Sequence, residues 1–236
     1  GRLTGLLLED AQQPLRNAAA QSPEDLDAGL AASLAELARN GVTTVSDAGG
    51  YWQQGHSDAW ERAAAQDRLT VRAVNALYVY PPHDMEAQLA EFSKRFRNDP
   101  DDLLQVNTAK IYVDGILDLG TARLLAPYDD PVDPRFPTGF AYFSTSQLET
   151  YAARLHQMGY RISFHVIGDA AVRAALDAVD AIPADPDEVA ARHHRLTHVY
   201  LVDPADRDRF EELGVVADFQ VGPESTDLAY HDYLYE

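Results

Sequence analysis

Predicted helices and strands alternate along almost the whole of this chain of 236 residues. A helix is indicated where apolar residues recur three or four positions apart, and a strand where β-branched and other apolar residues follow one another. The pattern predicts strands near residues 42–47, 69–80, 106–115, 161–169, 194–201 and 215–221, and helices near 23–40, 56–66, 84–97, 145–158, 169–181 and 203–214. Strands separated by helices form parallel sheets, so we predict an α/β fold, either a doubly wound open sheet or a (β/α)8 barrel.

Composition limits the function classes. A hydrophobic content of 46% is enough for one sizeable core, so we treat residues 1–236 as a single domain. The net charge of -19 argues against a nucleic-acid partner, and the lack of cysteine excludes disulfides and thiolate metal sites. Because no run of about 18 apolar residues occurs, we expect a soluble protein without a membrane partner, and we favour the cytoplasm.

One lysine stands where lysine is uncommon. Only two of the nineteen basic residues are lysines, and Lys110 lies inside an apolar strand. Alternation places Lys110, Tyr112 and Asp114 on one face of this strand, and Ala109 and Ile111 on the other. Since burying an unpaired ammonium group is costly, we expect Lys110 to have a partner or a chemical modification.

Two histidines occupy comparable positions on later strands. His165 and His198, like Lys110, fall toward the carboxyl ends of their predicted strands. Barrel enzymes build their sites at this end of the sheet, so the positions favour a barrel over an open sheet and suggest a metal site. Six strands do not close an eight-stranded barrel, and we therefore expect only part of one.

The longest interruption of the pattern runs from residue 116 to 143 and follows the lysine strand. Segments of this length are commonly functional loops, so it is either a lid over a substrate or a surface excursion. Within and beside it, Tyr128, Arg123 and Asp114 are candidate substrate contacts. Tyr128 and Arg123 could instead pin the loop, and Asp114 could support a metal ligand or be a turn residue before Gly115. Asp169 is interpreted as a helix N-cap. Asp47 is interpreted as a residue that lines the opening, or mouth, at the carboxyl end of the sheet.

Three sequence blocks together carry a family resemblance. They are Lys110-Ile-Tyr-Val-Asp-Gly115 with Thr121-Ala122 and Pro127-Tyr128-Asp129, then Phe164-His165-Val-Ile-Gly168-Asp169, and then Leu196-Thr-His198 with Phe219-Gln220. In this order and spacing they resemble the amidohydrolase superfamily, in its YtcJ-like branch (amidohydrolase family 3), which includes N-substituted formamide deformylase. The region from Gly1 to Asp47 is similar too, so the likeness covers nearly the whole chain.

The resemblance implies a metal-dependent hydrolase with a (β/α)8 barrel of which this chain covers about strands 2 to 7. It implies that Lys110, often carboxylated in the family, bridges two divalent metal ions and that His165 and His198 ligate one of them, with zinc as the favoured metal. A paired histidine motif on strand one and an aspartate base on strand eight complete the family's site. No His-x-His occurs here, and Thr197 stands where the family more often has glutamate.

Two functions remain open. The first is hydrolysis of a non-peptide C–N bond in an amide-like or formamide-like small molecule, and the second is a non-catalytic barrel remnant that acts as a binding or regulatory module. A barrel that lacks two strands exposes strand edges, so we also expect association between copies. The remaining histidines, His56, His83, His156 and His231, read as surface residues, and His193-His194 lie at the amino end of a strand.

Overall fold

The computed structural model describes residues 5, 7, 9–19, 21–81 and 83–220. Within these residues six strands form one parallel sheet. The strands are β1 (Thr44–Gly50), β2 (Arg72–Tyr78), β3 (Leu104–Tyr112), β4 (Arg161–Val166), β5 (Arg195–His198) and β6 (Val216–Asp218). The helices are α1 (Gln13–Ala18), α2 (Pro23–Arg39), α3 (His56–Ala65), α4 (Met85–Arg95), α5 (Thr145–Gln157), α6 (Asp169–Asp180), α7 (Pro186–Ala191) and α8 (Arg209–Glu212).

The strand order decides between the two predicted architectures. Each strand pairs with the strand that follows it in the sequence, from β1 through to β6. A doubly wound sheet reverses direction at a switch point, whereas a barrel adds its strands in sequence order. The described sheet is therefore part of a (β/α)8 barrel, and the open-sheet alternative is wrong.

The longer helices begin where the sequence places their caps. Ser22 accepts a hydrogen bond from the backbone N–H of Asp25, and Asp25 in turn accepts one from the backbone N–H of Ser22. Pro23 then fills the first helical position, where its missing N–H costs nothing. Such a capping box satisfies the free N–H groups of the first turn, so the predicted start of α2 is confirmed.

Several predicted elements are shorter in the structure than in the sequence pattern. The helix expected over 203–214 is a short 3-10 turn, Pro204–Asp206, followed by α8. The strand expected over 194–201 ends at His198, where the backbone leaves the extended region. The predicted sixth strand begins close to the expected position, but its last residue, Val221, lies outside the described residues.

The two faces of the sheet differ in chemistry. Ile111, Phe164 and Leu196 are fully buried and pack with Leu155 of α5 and Leu176 of α6 in one apolar core. Side chains alternate along a strand, so the residues next to these point to the opposite, inner face of the curved sheet. That inner face carries the polar side chains from which the site is built. No helix in the described part of the chain is both long and apolar enough to cross a membrane.

Candidate functional site

Strand register places two of the three predicted ligands on the inner face. Lys110 lies opposite Ser163, and Tyr112, two residues further on, lies opposite His165. His165 in turn lies opposite Thr197 of β5. Residues in register on parallel neighbours share a face, so Lys110 and His165 point into the same space near the carboxyl end of the sheet.

Lys110 is a buried amine with an aromatic neighbour. Its side chain is 3% exposed, and its Nζ lies 5.4 Å from the ring centroid of Tyr112. Burial, together with a smaller contribution from the nearby Arg195 and against an opposing one from Asp218, lowers the pKa of Lys110 to about 8. The ordinary value is 10.5, so the neutral amine is far more accessible here than on a surface lysine.

His165 is held by the residues that follow the lysine strand. Its Nε2 lies 3.0 Å from the carbonyl oxygen of Gly115 and 3.8 Å from Oδ1 of Asp114. A carbonyl accepts, so Nε2 carries the proton and Nδ1 keeps a free lone pair. Burial lowers the pKa of His165 to about 3, which keeps the imidazole neutral.

His198 reaches the same space through an unusual backbone. Register pairs it with the core residue Val166, so regular alternation would turn its ring toward the helices. Instead His198 has φ +81° and Val199 has φ +51°, and the His198 ring centroid lies 4.5 Å from that of His165. Left-handed backbone is costly for a β-branched residue and is found mainly at functional sites. This break in the strand is what turns His198 toward the inner face.

The three predicted ligands therefore converge at the carboxyl ends of three consecutive strands. Burial also lowers the pKa of His198 to about 4, with a further contribution from the charge of Lys110. The site thus brings together two neutral imidazoles, which are common metal ligands, and a buried lysine amine. Among the described residues no group of three His, Cys, Asp or Glu side chains is arranged to hold a metal ion.

Asp114 is a structural clamp. It is fully buried and accepts backbone hydrogen bonds from Arg123, Ile167 and Gly168, at 2.9, 3.0 and 2.9 Å. Burial raises the pKa of Asp114 to about 7, and the three N–H donors oppose this shift. These contacts tie the end of β3 to the long loop and to the segment between β4 and α6. They account for Asp114 without a substrate contact.

The long loop is pinned rather than free. The backbone carbonyl of Arg123 accepts hydrogen bonds from Ala170 and Ala171 at the start of α6, and the hydroxyl of Tyr128 donates to the carbonyl of Ala122 at 2.9 Å. Asp169 is not the N-cap of α6, as the sequence suggested, because Gly168 occupies that position. Asp169 instead accepts a hydrogen bond from the backbone N–H of Leu125, which adds another loop contact. The pinning interpretation of Arg123 and Tyr128 thus has structural support.

Two further expectations change in the structure. Asp47 does not line the mouth, because its Oδ2 accepts hydrogen bonds from Trp60 of α3 and from Asn75, on the helix side of the sheet. Thr197 does face the site, where its hydroxyl lies 3.0 Å from that of Ser163. The two hydroxyls satisfy each other, which is a contact that a glutamate at this position would not make in the same way.

A second histidine pair lies near the amino end of the sheet. His156 was expected on the surface, but it is buried, and its Nδ1 lies 3.0 Å from Nε2 of the fully buried His194. Of the other histidines, His83 is exposed, His56 is half-buried, and His231 lies outside the described residues. The helical spacing of Leu148, Ala152 and Leu155 around position 156 already carried the signal that places His156 on the inward face of α5.

Sequence reasoning also missed the aromatic surroundings of the site. The Tyr112 ring lies against that of His165, with centroids 4.5 Å apart, and contacts Tyr78 at 5.2 Å on its other side. The alternation of Tyr78 with Tyr80, and of Lys110 with Tyr112, was visible in the sequence. The sequence alone does not show the register that places strands β2 and β3 side by side.

Comparisons with known proteins bear on the family and the fold of this chain. The profile of the amidohydrolase family matches residues 1–236. The chain is 26% identical over 234 residues to the protein YtcJ of Bacillus subtilis (strain 168), covering 93% of this chain and 40% of that protein. It is 24% identical over 231 residues to Protein LONG AFTER FAR-RED 3 of Arabidopsis thaliana, covering 93% of this chain and 38% of that protein.

A solved structure shows the same fold. An uncharacterized metal-dependent hydrolase from Pyrococcus furiosus superposes with a TM-score of 0.69 at 22% identity, covering 89% of this chain and 41% of that one. The chain thus spans about two fifths of the length of the relatives it matches. Because the family profile covers every residue, the chain belongs to the amidohydrolase family.

Proposed function

We propose that the protein is a metal-dependent hydrolase that cleaves a non-peptide C–N bond in an amide-like small molecule, of which formamides are one class. The observation that carries this proposal is the convergence of Lys110, His165 and His198 on the inner face. The backbone at His198 and Val199 is strained, and this strain accompanies the convergence. A histidine with a purely structural role does not need such a backbone.

Lys110 supplies an anionic ligand after carboxylation. Its neutral amine adds to carbon dioxide, forms an N–C bond and releases one proton, which leaves a carbamate with two oxygen donors. The lowered pKa of Lys110 makes the reactive neutral form available near neutral pH. The change also replaces a buried cation by an anion that a metal ion neutralises, which removes the cost of the unpaired charge.

His165 and His198 supply neutral nitrogen donors. Burial holds the pKa of both rings well below neutrality, so neither needs to lose a proton before it binds a metal. A divalent ion, for which we favour zinc, supplies an acidified water molecule and polarises the scissile carbonyl when it is bound. Gly115 fixes the tautomer of His165 through its carbonyl oxygen, and its own N–H donates to the carbonyl of Thr121.

Hydrolysis requires further groups besides the three proposed ligands. A metal centre of this family uses a paired histidine motif and a general-base aspartate, for which this chain has no matching positions. Because the chain spans only about two fifths of its relatives, we propose that these groups come from other parts of a longer protein. The edge strands among the described residues, β1 and β6, are the places where such parts, or a second copy, would pair.

Metal analysis with peptide mass spectrometry tests this proposal. We expect one or two zinc ions per site in the wild type, and carbon dioxide bound to Lys110 when the protein is kept in bicarbonate. Lys110→Ala should lose the metal and the hydrolysis of simple amides, whereas Lys94→Ala, which removes an exposed lysine, should change neither. A protein that contains all expected ligands but binds no metal would instead support the binding or regulatory module.

A further inference from the structure

A cavity beside the candidate metal centre is walled by aromatic side chains. It has a volume of about 180 Å³ and lies at the carboxyl ends of β1, β2 and β3. Half of the residues that line it are tyrosines, and we call the cavity the tyrosine pocket: Tyr51, Tyr78, Tyr80, Tyr112 and Tyr142, with Glu9, Gln12, Arg16, Pro81 and His83 as the other half. The rings of Tyr78 and Tyr80 meet edge to face with centroids 4.8 Å apart, and those of Tyr51 and Tyr78 are tilted with centroids 5.3 Å apart.

Tyr112 joins this pocket to the candidate centre. One part of its ring lines the cavity, and the same ring lies 4.5 Å from that of His165 and 5.4 Å from Nζ of Lys110. A group that fills the pocket therefore packs against the side chain that also contacts His165 and Lys110.

The size and lining of the pocket indicate what it holds. A cavity of roughly 150 Å³ is known to accommodate a benzene ring, so this one is large enough for a single aromatic ring. Tyrosine rings offer both negative faces and positive edges, and aromatic rings pack against these in stacked or edge-to-face arrangements. A saturated ring of similar size would fill the volume without these directional contacts.

The charged groups at the rim are already engaged. The carboxylate of Glu9 accepts hydrogen bonds from the hydroxyls of Thr121 and Tyr142, at 2.6 and 2.5 Å. Arg16 donates to the side chain of Gln12, and its guanidinium lies 5.5 Å from the centroid of the Tyr51 ring. These contacts hold the rim in place and favour a neutral occupant over a charged one.

We propose that the tyrosine pocket binds a neutral aromatic ring of the substrate and thereby directs the enzyme toward aryl- or arylmethyl-substituted amides. This inference rests on the proposed function for the identity of the scissile bond. The binding of an aromatic ring in the pocket does not depend on that chemistry, and it is measured separately.

The kinetic test uses pairs of amides that differ in one ring. N-benzylacetamide is compared with N-(cyclohexylmethyl)acetamide, and phenylacetamide with cyclohexylacetamide, so that the ring lies on either side of the C–N bond. We expect the aromatic member of at least one pair to have the higher kcat/KM. Tyr51→Leu should lower that preference by about two- to tenfold, the range expected for one lost aromatic pair, while Phe136→Leu, an exposed ring outside the pocket, should leave it unchanged.

The binding test needs no turnover. Benzyl alcohol and cyclohexylmethanol are added to the zinc-loaded protein, and their binding is measured by ligand-observed NMR. Preferential binding of benzyl alcohol that Tyr51→Leu weakens and Phe136→Leu preserves would support the pocket, even if no amide is hydrolysed and the proposed function fails. Amide hydrolysis without any preference for the aromatic member, together with equal binding of the two alcohols, would overturn the inference alone.

Discussion

Two pairs of buried histidines lie at opposite ends of the same sheet. His165 and His198 have ring centroids 4.5 Å apart at the carboxyl end, and His156 and His194 have centroids 5.3 Å apart near the amino end. Burial lowers the pKa of all four rings, to about 3 for both His165 and His194. Neither burial nor a low pKa therefore separates a metal ligand from a structural histidine in this protein.

Hydrogen bonding and backbone conformation do separate them. The backbone N–H of Ile162 donates to Nδ1 of His194, so His194 carries its proton on Nε2 and donates it to Nδ1 of His156. The two rings bond each other directly and leave no space between them for an ion. At the carboxyl end the rings meet edge to face, and a left-handed backbone turns one of them inward. The comparison supports a structural role for His156 and His194 and the proposed ligand role for His165 and His198.

Replacing one histidine of each pair should separate the two roles most strongly. We expect His165→Ala to weaken zinc binding by at least about 100-fold, since even residues that only support a metal ligand contribute 10- to 100-fold. His194→Ala should leave zinc affinity unchanged. A competition titration against a chromophoric chelator measures both. Equal losses in the two variants would contradict the assignment.

The amino-end pair, which should not affect zinc affinity, should instead affect folding stability. In the metal-free protein, His194→Ala leaves the N–H of Ile162 and one nitrogen of His156 without partners, and each buried unsatisfied group costs about 1–3 kcal/mol. We expect a loss of about 3 kcal/mol in the free energy of unfolding, measured by urea denaturation. His193→Asn is the matched control, because this neighbouring histidine is exposed and asparagine tolerates its positive φ. A comparable loss in the control would argue against a specific role for the pair.

Acid should weaken the amino-end pair in a predictable direction. The folded-state pKa of His194 is about 3, below the ordinary 6.5, so the unfolded chain takes up the proton first. The stabilisation is complete above pH 6.5 and is lost as the pH falls toward 3. Between pH 7 and pH 5 the free energy of unfolding of the wild type should fall by about 2 kcal/mol more than that of His194→Asn. Parallel pH profiles for the two proteins would show that His194 does not carry this dependence.

The smallest expected effect concerns the backbone at the carboxyl end. Glycine adopts positive φ without strain, whereas alanine does not, so His198→Gly should be more stable than His198→Ala by about 1 kcal/mol in the absence of metal. In regular secondary structure the alanine variant would be the more stable of the two. Thermal unfolding of the two variants gives the comparison, and a more stable alanine variant would mean that position 198 is not strained.

Much of the fold was accessible from local pattern. The alternation of strand and helix signals, the Ser22-Pro23 helix start and the apolar face that includes Ile111 depend on neighbours a few residues apart, which a single sequence displays. Lys110 was conspicuous for the same reason, because a lysine in an apolar strand contradicts its surroundings. The preference for a barrel over an open sheet came from the positions of Lys110, His165 and His198 near strand ends, and the observed strand order confirms it.

What the sequence did not reveal depends on tertiary structure. Regular alternation at His198 predicts a strand that continues, and only the paired strands show where the chain must turn left-handed. Asp47 was expected at the mouth because strand ends meet there, but the indole N–H of Trp60, a helix away, holds its carboxylate on the other face. The tyrosine pocket combines segments far apart in the chain, so no local motif announces it.

The most direct test of the central claim is a crystal structure of the zinc-loaded protein, prepared in bicarbonate, with an anomalous difference map at the zinc edge. The account predicts a peak on the inner face, about 2.0–2.1 Å from one nitrogen each of His165 and His198 and in contact with a carboxylated Lys110. No zinc peak within bonding distance of those three residues in an otherwise well-loaded protein, or a peak at His156 and His194 instead, would contradict it.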